Sequence, residues 1–156
     1  MTIRIVAVGT RPPGWVREAA DDYASRLPAD WRIEWREVKP EARSANGNVD
    51  RWRALEAQRI REALPTQPYL VALDERGEDL TSVALARRVQ RWRDSGRAPV
   101  LVIGGPDGIE PALLGQADER VRLSSLTLPH ALVRVVLAEQ LFRAWSILAG
   151  HPYHRA

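Results

Sequence analysis

The last six residues of the chain, HPYHRA, bring together side chains that can stack on a base, exchange protons and contact phosphate. Two of the three histidines lie in this tail, beside Tyr153 and Arg155. Chain ends usually fray, so this concentration of functional groups is unusual for a terminus. Stacking by Tyr153, phosphate or base contact by Arg155 and proton handling by His154 are the chemistry that the tail predicts. No metal site is expected, because His151 and His154 have no carboxylate or cysteine neighbours at ligand spacing.

The segment IGGPDG at 103–108 places two glycines directly after a short apolar run. Open α/β sheets bind ligands where their strands end, and glycine lets the backbone approach a ligand closely. The spacing is GGxxG rather than GxGxxG, and no Gly-Lys-Ser/Thr follows, so a phosphate cradle is disfavoured. The alternative interpretation is a tight exit from a strand, with no ligand involved.

The segment LSSLTLPH at 123–130 mixes hydroxyl side chains with leucines and reaches Pro129, which predicts that a final helix begins there. Backbone donors and acceptors beside apolar walls suit an adenine ring, which needs hydrogen bonds at its edge and an apolar slot. The alternative is that Ser and Thr only cap and turn the chain before the helix.

The final helix, predicted over 130–148, is apolar on more than one face. Such a helix is deeply buried or shared with another subunit. Its few charged residues are Arg134, Glu139 and Arg143, which are costly to bury unless they are paired or functional. Glu139 and Arg143 are four residues apart and can pair along the helix.

Strands alternate with helices along the chain, which predicts one α/β domain over 1–156 with a mostly parallel sheet flanked by helices. Further helices are expected around the apolar stripe that ends at Gly96 and just after Pro111. The polar loop 40–48 is expected to be mobile, with Asn48 capping the helix after it. The predicted strands cover 3–8, 31–38, 69–73, 100–103 and 120–123, and the other predicted helices cover 15–27 and 49–64.

Composition narrows the class of protein. The chain is 45% hydrophobic and 28% charged, and no apolar run approaches the roughly 20 residues of a membrane span, so a membrane partner is not expected. There is no cysteine and no targeting segment in the first residues, which is consistent with a cytoplasmic protein. From residue 120 onward five arginines accompany one glutamate, a basic excess that suits phosphate and base edges. Arginine richness as a whole also follows from genomic base composition.

Five segments, read in order, resemble a known family. They are VAVGT near the start, LD at 73–74, IGGPDG, LSSLTLPHALVR and the ending EQLFRAWSILAGHPYHR. They resemble the bacterial ribosomal large subunit methyltransferase H family, which methylates N3 of a pseudouridine in 23S ribosomal RNA, and the resemblance covers essentially the whole chain. It implies the SPOUT methyltransferase fold, an α/β fold with a C-terminal trefoil knot. General topology rules alone would have predicted an unknotted sheet.

The resemblance also implies a cofactor, partners and site residues. The chain is expected to be a homodimer whose active site combines the cofactor site of one subunit with the tail of the other. The expected substrate is helix 69 of 23S ribosomal RNA in the assembled ribosome, with no DNA partner. The expected contacts to S-adenosylmethionine are Leu73, Gly104, Gly105, Leu123, Ser124, Ser125, Leu126, Thr127 and Leu128.

The expected catalytic residues are four polar groups of the last helix and the tail. His154 is the first choice for the base that removes the N3 proton. Arg143 or Arg155 could instead stabilise negative charge on the carbonyl oxygens beside N3, while Tyr153 stacks. Two alternatives remain open at this point. One is a non-catalytic ribosome-associated factor that binds RNA through its basic tail, and the other is an α/β enzyme that uses a different adenine-containing ligand.

Overall fold

A five-stranded sheet with strand order β2-β1-β4-β3-β5 forms the centre of the protein in a computed structural model that describes residues 1–155. Each pair of neighbouring strands is parallel, as the sequence predicts. The strands are β1 (Thr2–Val8), β2 (Arg32–Val38), β3 (Pro68–Asp79), β4 (Ala98–Ile103) and β5 (Glu119–Arg122). The helices are α1 (Gly14–Ser25), α2 (Val49–Glu62), α3 (Ser82–Asp94), α4 (Pro111–Gln116) and α5 (His130–Leu148).

Both faces of the sheet are covered by helices. In β4, Leu101 and Ile103 join the apolar layer that contains residues of α3 and α5, while Val100 and Val102 join the layer that contains residues of α2 and α4. Successive side chains of a strand point to opposite faces, so a strand buried on both faces has a continuous apolar sequence. The run at 100–103 was therefore readable from sequence as a central strand.

Strand β3 is longer than the sequence predicts. Its pairing with β5 shifts register, because Val121 lies opposite both Leu73 and Glu78 and residues 74–77 bulge from the ladder. Gly77 makes the bulge possible, since a Cβ atom there would lie 2.6 Å from the backbone carbon of Val121. The extension is polar and near the sheet edge, so it lacks the apolar pattern by which strands are recognised.

Loop 40–48, which was expected to be mobile, is tied to the rest of the protein at both ends. Asn48 caps α2 as predicted, because its side chain accepts hydrogen bonds from the backbone N–H groups of Asp50 and Arg51 at 2.8 and 3.3 Å. Nearer the start of the loop, the backbone N–H of Glu41 donates to the buried carboxylate of Glu56 at 2.9 Å.

The chain takes an unusual route into its last helix. From β4 in the middle of the sheet it passes beyond β3 to form the edge strand β5, and α5 then packs against both α1 and α3. Helix α5 begins beside the carboxyl end of β4 and runs for 19 residues, about 28 Å, toward the amino ends of the strands. The knot that the family resemblance implies concerns the threading of this segment and stays a prediction. Within residues 1–155, no helix has the length and apolar character needed to cross a membrane.

Candidate functional site

The expected cofactor residues lie on three adjacent strands or directly after them, although Leu73 precedes the bulge at 74–77 and not, as expected, the end of β3. Leu73 in β3 lies in register with Ile103 of β4 on one side and with Val121 of β5 on the other. Gly104 follows Ile103 directly, and the segment 123–128 begins two residues after Val121. Three distant parts of the sequence therefore meet at one edge of the sheet, where parallel α/β sheets bind ligands.

The glycine turn is tight because neighbouring residues of the protein pack closely against it. A Cβ atom on Gly104 would lie 2.7 Å from Cγ1 of Ile109, so only glycine fits there. A Cβ atom on Gly105 would lie 2.9 Å from Oε1 of Glu56 and 3.0 Å from Cγ1 of Val8. Gly105 therefore faces the core, and it can meet a cofactor only through its backbone. The segment IGGPDG is a tight exit from a strand, as the alternative interpretation predicted. Its backbone can still contact a ligand.

A buried carboxylate beneath this turn was missed by the sequence analysis. Glu56 is only 2% exposed, and it accepts hydrogen bonds from Arg43, whose guanidinium also pairs with Asp107 of the turn at 2.9 Å. The hydrogen bond to Glu56 is the main reason why the pKa of Arg43 is raised. Glu56 lies on the same face of α2 as the buried Ile60, four residues later, and this acidic residue in an apolar stripe was the available signal.

The segment 123–128 presents apolar surface without a protein cover. The side chain of Leu126 is 74% exposed, while the hydroxyl of Ser124 accepts a hydrogen bond from the Leu126 backbone at 2.9 Å. The interpretation of these hydroxyls as turn-forming groups is therefore confirmed for Ser124. The exposed leucine beside Ser125 and Thr127, which are also exposed, leaves an apolar and hydrogen-bonding surface next to Leu73 and Gly104.

The first turns of α5 fasten the ends of three strands. The ring of His130 donates through Nε2 to the carbonyl oxygen of Gly104 at 3.1 Å. One turn later, Arg134 donates to the carbonyl oxygen of Gly9 at 2.9 Å and pairs with Glu37 of β2 at 3.0 Å. Arg134 is 4% exposed, so its charge is buried but paired, as a buried charge requires.

The tail folds back onto the last turns of α5. The hydroxyl of Tyr153 donates to Oε1 of Glu139 at 2.9 Å, and its ring stands edge-on to Phe142 with a centroid separation of 4.6 Å. Arg143 forms the predicted pair with Glu139 and lies over the Tyr153 ring, with 4.7 Å from its Cζ atom to the ring centroid. Arg155 is exposed beyond this cluster.

The contact with Arg143 selects one tautomer of the neutral His154 ring. Nη1 of Arg143 lies 3.2 Å from Nδ1 of His154. A guanidinium can only donate hydrogen bonds, so Nδ1 must be the acceptor and the neutral ring carries its hydrogen on Nε2. Nε2 is buried and has no hydrogen-bond partner among residues 1–155. In this arrangement His154 offers a hydrogen-bond donor and has no free lone pair with which to take a proton.

One chain does not bring the tail cluster and the cofactor residues together. His130 touches the glycine turn, and Arg143 lies 13 residues further along the same helix. At 1.5 Å per residue, the two positions are about 20 Å apart along the axis of α5. The residues expected to hold the cofactor and those expected to act on the substrate therefore occupy opposite ends of one helix.

Comparison with known proteins gives a consistent result over the whole chain. The family described as "Predicted SPOUT methyltransferase" matches residues 1–154. Proteins named "Ribosomal RNA large subunit methyltransferase H" from Bordetella petrii and Burkholderia mallei are 55% and 54% identical over 156 residues, covering 100% of both chains. A solved structure titled as a probable methylase family protein from Haemophilus influenzae Rd KW20 aligns with a TM-score of 0.60 at 16% identity. It covers 99% of this chain and 70% of that one, which supports the fold.

The environment of Tyr153 predicts a late ionisation. Burial, and then the hydrogen bond to Glu139, raise the pKa of the Tyr153 hydroxyl from 10.0 to about 12. Because the folded pKa is raised, this residue stabilises the fold fully below pH 10 and loses that contribution as the pH rises toward 12. An alkaline titration followed by phenolate absorbance should show a step near pH 12 that Tyr153→Phe removes. Glu139→Gln should move this absorbance step to lower pH. If the step that Tyr153→Phe removes instead lies near pH 10, the described environment of Tyr153 is wrong.

Proposed function

The chain belongs to the SPOUT methyltransferases and, within them, to the ribosomal RNA large subunit methyltransferase H family, and from this we propose that it methylates N3 of a pseudouridine in helix 69 of 23S ribosomal RNA with S-adenosylmethionine. The observation that carries the proposal is the placement of Leu73, the turn at Gly104 and the start of the segment 123–128 on three adjacent strands at one edge of the sheet. We propose that the reaction takes place on assembled ribosomes in the cytoplasm.

The residues present fit S-adenosylmethionine. An adenosine needs an apolar slot with hydrogen-bonding groups at its rim. The exposed side chain of Leu126 supplies apolar surface, and the segment 123–128 adds hydroxyls and backbone groups beside the turn at Gly104. When bound, the cofactor supplies an electrophilic methyl group. The protein has to hold that group in line with N3 and exclude water from the reacting atoms.

The tail is suited to stabilising an anion on the base. N3 of pseudouridine lies between two carbonyl groups, so negative charge spreads onto their oxygens when the N3 proton passes to a solvent water before the site closes and excludes water. Preorganised donors aimed at such oxygens lower the barrier. We propose that the Nε2–H group of His154, which is buried in the single chain, becomes such a donor when the tail meets the RNA, and that the exposed Arg155 adds a second donor. We therefore assign His154 as a donor to a carbonyl oxygen in place of the base that its residue type suggested.

A homodimer would join the two halves of the site. Because the cofactor residues and the tail cluster lie at opposite ends of α5, we propose that the tail of one copy reaches the cofactor residues of the other. Apolar side chains near the amino ends of two adjacent helices support such an interface, since Trp15 of α1 is 53% exposed and Leu132 of α5 is 37% exposed. The interior of α5 is already buried within its own chain, so these residues, and not the whole helix, would form the contact.

The pairing of arginines argues against a basic tail as the RNA-binding element. Of the arginines after residue 119, Arg122 pairs with Asp79, Arg134 with Glu37 and Arg143 with Glu139. Five arginines against Glu139 leave an excess of four charges in this region, and Asp79 and Glu37 offset two of them. A non-catalytic RNA-binding factor would need those charges at the surface. Recognition of one RNA hairpin by this chain is better explained if the shape of the ribosome contributes.

The direct test uses ribosomes that lack the modification. Incubation with the purified protein and S-adenosylmethionine should add one methyl group to a pseudouridine of helix 69, located by mass spectrometry of the digested 23S RNA. Naked 23S RNA serves as the control and should be modified poorly, because the proposed recognition requires the assembled particle. Binding of the ribosome without methyl transfer would favour the non-catalytic factor.

Removing residues 154–156 should separate cofactor binding from chemistry. The cofactor residues lie at the other end of α5, so cofactor affinity measured by calorimetry should stay within about twofold, while methylation falls at least ~100-fold because the donors are lost. If the tail were only a structural cap, cofactor binding and thermal stability would fall together with activity.

Mixing two inactive variants should restore activity if the site is composite. One parent lacks residues 154–156, and the other carries Thr127→Trp, which fills the expected adenine slot with an indole at an exposed position. A mixed dimer contains one intact site, made from the tail of one chain and the cofactor residues of the other. Subunit exchange is verified with fluorescent labels. Exchange without recovered activity would show that each tail serves its own chain.

The role of His154 can be tested with a matched pair of substitutions. Glutamine places an N–H donor near the position of Nε2 but cannot accept a proton, whereas leucine provides neither function. His154→Gln should therefore retain methylation within about tenfold, while His154→Leu should lose ~100-fold or more. Equal loss in both variants, with cofactor binding intact, would favour a general base at this position.

A further inference from the structure

His130, the first residue of α5, makes a contact with the glycine turn that the proposed mechanism does not use. Its Nε2 atom donates to the carbonyl oxygen of Gly104 at 3.1 Å across 26 residues of sequence. We propose that His130 is a positioning residue, which fixes the Gly104–Gly105 peptide in the orientation that binds the cofactor. This inference rests on the proposed function of the same site.

A peptide unit is planar, so the carbonyl of one residue fixes the N–H of the next. Holding the Gly104 oxygen therefore sets the direction of the Gly105 N–H. Glycine permits many backbone conformations, and a pair of glycines needs an external restraint to keep one of them. The turn supplies another restraint through the Gly108 N–H, which donates to the carbonyl oxygen of Gly105 at 3.0 Å. His130 is the side chain that restrains the remaining carbonyl of the pair.

The surroundings of His130 favour the neutral ring with its hydrogen on Nε2. The guanidinium of Arg134 lies one turn later on the same helix and is held by Glu37 and by the carbonyl of Gly9. Partial burial and then this positive charge lower the pKa of His130. The neutral ring carries one hydrogen, and the acceptor at Gly104 places it on Nε2. Arg134 and His130 also both lie close to Gly9, where a Cβ atom would be 3.4 Å from Nη2 of Arg134 and from Cε1 of His130.

A structural role for His130 in starting the helix is not supported. The residue before it, Pro129, makes no side-chain capping bond, and His130 itself is exposed at the surface of the protein. Histidine also has no particular helix propensity. Replacing the ring should therefore leave the fold intact, so that effects on cofactor binding can be measured in folded protein.

Three substitutions distinguish positioning from packing. Leucine keeps bulk and removes the donor. Glutamine carries its amide nitrogen at the reach of Nε2, and asparagine carries the same group one bond shorter, at the reach of Nδ1. We expect His130→Leu and His130→Asn to weaken S-adenosylmethionine binding by roughly three- to tenfold, the effect of one hydrogen bond, and His130→Gln to stay within about twofold.

Calorimetric affinity for S-adenosylmethionine, melting temperature and the methylation rate at saturating cofactor are measured for each variant. The proposal predicts folded variants whose melting temperatures fall by no more than about 2–4 °C, a higher KM for the cofactor in the leucine and asparagine variants, and an unchanged kcat in all three. Wild-type affinity in His130→Leu would overturn it, as would equal loss in the glutamine and asparagine variants. If the wild-type protein does not bind S-adenosylmethionine, the proposed function fails first, a result distinct from any difference among the variants.

Discussion

The parallel direction of all five strands is the constraint on which the rest of the structure depends. Parallel strands send every carboxyl end to one edge, so turns from β3, β4 and β5 meet there without being close in sequence. The final helix begins at that edge and runs away from it. The residues expected to bind the cofactor therefore lie at one edge and the polar tail at the other, about 20 Å apart along α5. A second copy is the simplest way to bring both together.

Ion pairs between arginine and carboxylate side chains hold the loops at the ends of the strands. The pair of Arg43 and Glu56 lies beneath the glycine turn, and the pair of Arg134 and Glu37 lies beside it. Buried pairs add little net stability, because removing two charges from water costs about as much as their attraction returns. Their geometry is specific, however, since a guanidinium satisfies several acceptors in one plane. We infer that these pairs mainly select one conformation of the turns.

The parts predicted well from sequence are those with a strong local signal. The apolar run at 100–103, the cap at Asn48 and the pairing of Glu139 with Arg143 depend on neighbouring residues and were all confirmed. The extension of β3 was missed because a polar edge segment has no apolar pattern. Glu56 was missed because its partner, Arg43, lies in a loop whose path only the tertiary structure defines. The knot is likewise a global property, and only family resemblance predicts it.

The tail is ordered by contacts with the last turns of α5. Tyr153 packs on Phe142 and donates to Glu139, and Arg143 holds His154 from the same helix. The conformational entropy of these side chains is therefore already lost when the protein folds. The donor left over, Nε2 of His154, has no partner within residues 1–155. A buried donor without an acceptor is costly, and under the proposed function an oxygen of the RNA base would supply the missing acceptor.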